Sequence, residues 1–177
     1  DAHVRSGGKV VVVGPTYVLG YTRTCLHFSN HGERQLGEYF AKAYSRVILE
    51  GKTWEPLRPI HASLTGSVVT VKFHVPVPPL VLDTERVDDP GDYGFEWYDG
   101  GGATPAIAGV AITAPDTVEI TLASPPAPGG RIRYAYTFRG CGGPGTLARG
   151  NLRDSDTTPS EHGYDLFNWA VHFDLPL

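Results

Sequence analysis

The apolar residues of this chain change their spacing once, and that change limits what it can fold into. Leu36, Phe40, Ala43, Tyr44, Val47 and Ile48 recur at intervals of three and four, the spacing of one helix face. From Val69 onward the interval is two. Val69, Val71, Phe73 and Val75 alternate with polar neighbours, as do Val118, Ile120 and Leu122. The same holds for Ile132, Tyr134, Tyr136 and Phe138, and for Trp169, Val171 and Phe173. A period of two belongs to strands with one buried face. The chain therefore reads as a helical unit followed by an antiparallel β unit, α+β overall.

Local signals sharpen both units. Ser29 or Asn30 suits the N-cap of the helix, with Glu33 three residues after Asn30 in the capping-box spacing. Gly51 stands where a C′ glycine ends a helix. Glu33, Arg34, Glu38, Lys42 and Arg46 fill its other faces. Upstream, Val10 to Val13 is a β-branched run closed by Gly14 and Pro15, as expected of a parallel strand covered on both sides. Strand, loop and helix over residues 1–51 read as the C-terminal piece of an α/β domain. Residues 52–59 (KTWEPLRP) read as a linker. Residues 60–177 carry seven or so short strands, among them Leu80–Leu82, Phe95–Tyr98 and Ile107–Ile112, set between turns rich in Gly and Pro. An antiparallel, jelly-roll-like β-sandwich is the expected architecture.

A net charge of −4 with no Lys/Arg run excludes nucleic acid and anionic membrane as main partners. No apolar run is long enough to span a bilayer. Nothing marks a cofactor. Cys25 and Cys141 could pair, but two free thiols are expected. The chain opens at Asp1 and has no Met. An upstream segment, covalent or cleaved, is therefore expected to cover the Val10–Val13 strand, whose exposed edge would otherwise aggregate.

Several residues are candidates for chemistry. His27 lies on the loop before the helix, at the edge of a sheet where α/β folds bind ligands. A serine hydrolase needs such a base beside its nucleophile. His27 and His31 have the i, i+4 spacing of a metal pair, but no carboxylate completes a set and no metal is expected. Asn151, Asp154 and Asp156 form a weak calcium-like cluster, more readily explained as turns bonding their own backbone. Asp88, Asp89 and Asp92 read as a solvated turn. Trp97, Tyr98 and Asp99, followed by three glycines, suit an aromatic platform for a sugar ring. Alternation sends either Trp97 or its neighbours Glu96 and Tyr98 inward, and Trp54, Trp97 and Trp169 equally suit core packing.

The order GP…LHFSNHGERQLGEYFAKAY, within residues 9–50, resembles the last block of SGNH/GDSL-type hydrolases, with His27, Ser29 and Gly32 matching. In that family the His is the catalytic base, and many members are esterases that deacetylate glycans. The segments PLRPIHASLTG, YGFEWYDG, GNLRDSD and NWAVHFDLPL resemble the β-rich C-terminal region attached to SGNH-like proteins of phages and related bacterial elements. Two departures stand out. The family's acid position is Thr24, and the Gly-Asp-Ser, Gly and Asn blocks are absent. The resemblance implies the C-terminal portion of a serine esterase acting on O-acetylated glycans, with its nucleophile upstream and an extracellular or virion-associated location. The alternative is a non-catalytic virion or surface protein, such as a phage tail or decoration component, or a carbohydrate-binding module. Homo-oligomeric or virion assembly goes with either.

Overall fold

The computed structural model describes residues 2–22, 25–100, 104–138, 140 and 148–177. A short helix α1 (Ala2–Arg5) precedes α2 (Asn30–Tyr44), which continues through a π-helical turn over Ser45–Leu49. Ser29 is the N-cap: its Oγ accepts the Gly32 N–H at 3.1 Å. Position N3 is therefore Gly32, and the capping box drawn from Asn30 to Glu33 does not form. Gly51 takes a left-handed φ of 64°, as its C′ role requires.

Among the described residues nine strands follow: β1 (Arg58–Thr65), β2 (Val68–His74), β3 (Val81–Leu82), β4 (Phe95–Tyr98), β5 (Ile107–Ala114), β6 (Thr117–Leu122), β7 (Arg131–Tyr134), β8 (Leu152–Arg153) and β9 (Phe173–Pro176). They form a four-stranded sheet in the order β1-β2-β6-β5, a three-stranded sheet β4-β7-β9 and the pair β3-β8. Every pairing is antiparallel. The first sheet buries Val69, Val71, Phe73, Val118, Ile120 and Leu122. The second buries Phe95, Trp97, Ile132, Tyr134 and Phe173, all in the same core cluster. The rings of Phe73 and Phe173, one from each sheet, lie 6.0 Å apart. Alternation in β2, β6 and the first half of β7 thus determines which side chains meet across the two layers.

Three expectations are corrected. Val10–Val13 is not a strand: the segment joins no ladder among the described residues, and Val10 and Val11 are exposed. Its β-branched run supplied the propensity, and no partner strand stands beside it to complete a ladder. Second, β1 begins within the expected linker, and Leu57 is fully buried. β1 is an edge strand with a bulge between Pro59 and His61, a place where proline is tolerated. Third, β7 stops at Tyr134. Ala135 adopts φ 49°, and the exposed Tyr136 and Phe138 leave the inward row to which their spacing assigned them.

The N-terminal elements share this core. Tyr17, Leu19 and Tyr39 belong to the same buried cluster as the strands. The Tyr17 hydroxyl donates to the Ala170 carbonyl at 2.7 Å, and that of Tyr39 to the Phe167 carbonyl at 3.0 Å. Burial pushes both phenols up from their ordinary range, so these ties are made by neutral tyrosine. The apolar stripe of α2 accordingly divides. Ala43 of the stripe is buried, whereas its Phe40, Tyr44 and Ile48 are exposed; Tyr39, outside the stripe, is the residue that joins the core cluster.

Candidate functional site

The His27 loop is built as a tight reversal. Tyr21 and Phe28 form an antiparallel bridge, their rings 4.8 Å apart. The His27 carbonyl accepts two bonds from Thr22, from its N–H at 2.9 Å and its hydroxyl at 3.1 Å. The Ser29 N–H donates to the Gly20 carbonyl at 2.8 Å and ties the base of the loop to the start of α2. The backbone of His27 is therefore held from both sides while its side chain is exposed. Among the described residues the imidazole has no hydrogen-bond or ion-pair partner. Thr24 lies outside them.

Cys25, two residues before His27, is disulfide-bonded, which corrects the expectation of a free thiol there. Cys141 lies outside the described residues. The pairing of Cys25 left no periodic signal from which sequence could have read it.

His31 points away from His27, its Nδ1 3.3 Å from the Tyr164 hydroxyl. Among the described residues no group of three His, Cys, Asp or Glu side chains is placed to hold a metal. Asp154 is fully buried and accepts four bonds: from Asp156 N–H and Asn168 N–H on Oδ1, and from Val77 N–H and the Asn168 amide on Oδ2. This is a structural staple between the 77 and 168 segments. Burial raises the Asp154 carboxyl above its ordinary value despite these donors. Asp89 caps its own turn by accepting from Gly91 and Tyr93 N–H, and Asp88 lies 3.6 Å from Arg149.

Sequence placed Lys42 on the solvent face of the helix; the structure buries it. Its ammonium donates to the Leu166 carbonyl at 2.6 Å and to Asn168 Oδ1 at 3.0 Å, and pairs with Asp156 at 2.8 Å. Burial would raise Asp156, but the bonds from Lys42 and Thr158 outweigh it and hold the carboxyl below its usual range. A cleft of about 300 Å³ opens beside this pair, walled by Trp54, Glu55 and His74.

The aromatic trio resolves by strand parity. Trp97 is 7% exposed and packs in the core, whereas Tyr98 is 44% exposed on the outer face. Asp99 accepts from the Thr104 hydroxyl at 2.7 Å. Sequence did not single out two residues that join Tyr98. The Arg133 guanidinium lies 4.1 Å from the centre of the Tyr98 ring and 4.4 Å from that of Tyr136. The turn at Ala135 is what carries Tyr136 to this face, and no pattern of types announced it.

No family model and no curated protein matches the chain. Among solved structures, part of a carbohydrate acetylesterase from Xanthomonas citri shares its fold, with a TM-score of 0.51 and 18% identity. The match covers 84% of this chain and 28% of the acetylesterase, so the chain corresponds to little over a quarter of that protein's length. The S-layer protein rSbsC matches with a TM-score of 0.36 and 11% identity, over 75% of this chain and 18% of that one. No helix among the described residues is long and apolar enough to cross a membrane.

Proposed function

We propose that the chain is the C-terminal portion of an SGNH-type carbohydrate esterase acting on O-acetylated glycans, with His27 as general base and the serine on an upstream segment. The observation that carries this reading is the His27 loop: a backbone anchored at Gly20, Thr22 and Ser29 that presents an exposed imidazole with no partner among the described residues. The fold shared with part of an acetylesterase supports it. In the reaction, the serine hydroxyl attacks the acetyl carbonyl while His27 takes its proton and passes it to the departing sugar oxygen. His27 then takes a proton from water, which attacks the acetyl-serine, and returns it to the serine oxygen as acetate leaves. Residues 1–51 are in this reading the last piece of the α/β domain, and the strands from β1 (Arg58–Thr65) onward are the appended sandwich. The exposed Phe40, Tyr44, Ile48 and Leu49, with Val10 and Val11, are the surface on which the remainder of that domain would pack. The Cys25 disulfide agrees with an extracellular or virion-exposed setting.

The test is acetate release from an acetylated polysaccharide by protein carrying the upstream segment. His27→Ala should lower kcat by roughly 10²- to 10⁴-fold with folding unchanged. Undiminished turnover in the variant would remove His27 from the mechanism. The non-catalytic reading draws on one observation, that no carboxylate reaches the imidazole among the described residues. Absence of acetate release together with retained glycan or virion binding would favour it.

A further inference from the structure

The outer face of β4-β7-β9 combines features that its packing does not require. Register sets Glu96, Arg133 and Asp174 side by side in one row, and Tyr98, Arg131 and Pro176 in the next. Arg131 and Arg133 reach Asp174 at 2.6 and 3.4 Å. Glu96 accepts the Thr137 N–H at 2.9 Å and also its hydroxyl, which fixes the segment bearing Tyr136. Two arginines and two carboxylates leave the face with no net charge.

The backbone holds an unfavourable conformation to build it. Period-two alternation from Ile132 and Tyr134 would send Tyr136 into the core. Ala135 instead sits at φ 49°, buried, with its N–H on the Gly94 carbonyl at 2.8 Å and its carbonyl against His172 Nδ1. A left-handed alanine costs about 1–2 kcal/mol, and such outliers collect at binding sites. The product here is a second exposed ring, Tyr136 at 49% exposure, stacked on Arg133 opposite Tyr98.

We propose that this face binds a neutral polysaccharide, with Tyr98 and Tyr136 stacking against sugar rings. The intervening charged row donates to and accepts from sugar hydroxyls. The Arg133 guanidinium lies against both rings and restrains them, so little side-chain entropy is lost on binding. The balanced charge of the face and the −4 charge of the chain disfavour polyanions. The inference deepens the glycan reading above but rests on a different face from His27.

The test is affinity electrophoresis of the full chain in gels containing xylan, glucomannan or mixed-linkage β-glucan, with heparin as a polyanion. At least one neutral polysaccharide should retard the protein. Tyr98→Ala and Tyr136→Ala should each weaken the interaction by roughly 3- to 10-fold, with unchanged circular dichroism. His27→Ala should bind as the parent does, so loss of esterase activity and loss of glycan binding can be told apart. The proposal is overturned if none of the three neutral polysaccharides retards the chain, if only heparin does, or if the tyrosine variants bind like the parent. It is also overturned if sedimentation shows a dimer that Tyr98→Ala dissociates, because the face would then be a self-interface.

Discussion

Gly20 and Gly32 meet with no room for a side chain between them: a Cβ on Gly32 would stand 2.2 Å from the Gly20 carbonyl oxygen. That carbonyl also accepts the Ser29 N–H, so the helix start and the root of the His27 loop form one rigid unit. The glycine at the opening of the helix has a steric reason, independent of any reaction.

Gly32→Ala should destabilise the protein by about 1–3 kcal/mol, because the obstacle is backbone and must move. Gly37→Ala in the same helix meets nothing within 4 Å and should stabilise by about 0.5–1 kcal/mol. Urea denaturation of both checks the pair. Equal effects would mean that the contact at Gly20 is not tight.

Asp154→Asn should cost about 3 kcal/mol. All four partners of the carboxylate are donors, and the new amide would turn its own N–H groups against two of them. The same denaturation midpoint measures it. A neutral result would show that the network re-forms around asparagine.

Acid should weaken the fold through Asp156 and Asp83. Both are held below the ordinary carboxylate value: burial raises each, but the bonds from Lys42 and Thr158 at Asp156, and from Arg153 and backbone N–H groups at Asp83, outweigh it. A depressed folded-state pKa gives stability that is present above the unfolded value, about 3.9, and lost as pH falls through the folded one. Asp154, raised by burial, works in the opposite sense and loses stability as pH rises past its unfolded value. Stability measured from pH 3 to 7 should therefore fall on the acid side, and Asp156→Asn should flatten that limb. A steeper limb in the variant would contradict the assignment.

Ala135→Gly should stabilise by about 0.5–1 kcal/mol, since glycine occupies the left-handed region without a Cβ penalty. Thermal unfolding reads the change directly. Destabilisation would mean that the alanine methyl contributes more to the core than the backbone costs.

Maleimide labelling in denaturant should leave the Cys25 peptide unmodified until a reductant is added. Labelling before reduction would restore the free-thiol expectation.

Much of the β architecture was legible because burial on one face imposes a period of two. Val69, Val71, Phe73, Val118, Ile120 and Leu122 all lie where that period put them. The helix was legible from its stripe and from Ser29 and Gly51, which act through local bonds. The linker expectation missed β1 because an edge strand carrying Pro59 keeps no clean alternation. The Val10–Val13 run was misread because propensity describes a residue's preference, whereas a strand also needs a neighbour to bond.

Residue order alone accounts for the elements whose signals are local or periodic: the α2 helix and its ends, and the inward rows of β2 and β6. Only the tertiary structure decided that Lys42 would be buried against Asp156, that Trp97 would face the core while Tyr98 faced out, and that Ala135 would turn Tyr136 to stand beside Arg133. Each of these depends on which distant segment comes to lie alongside, through contacts of 35 or more residues' separation or through a single backbone angle. Residue type and spacing carry no record of either.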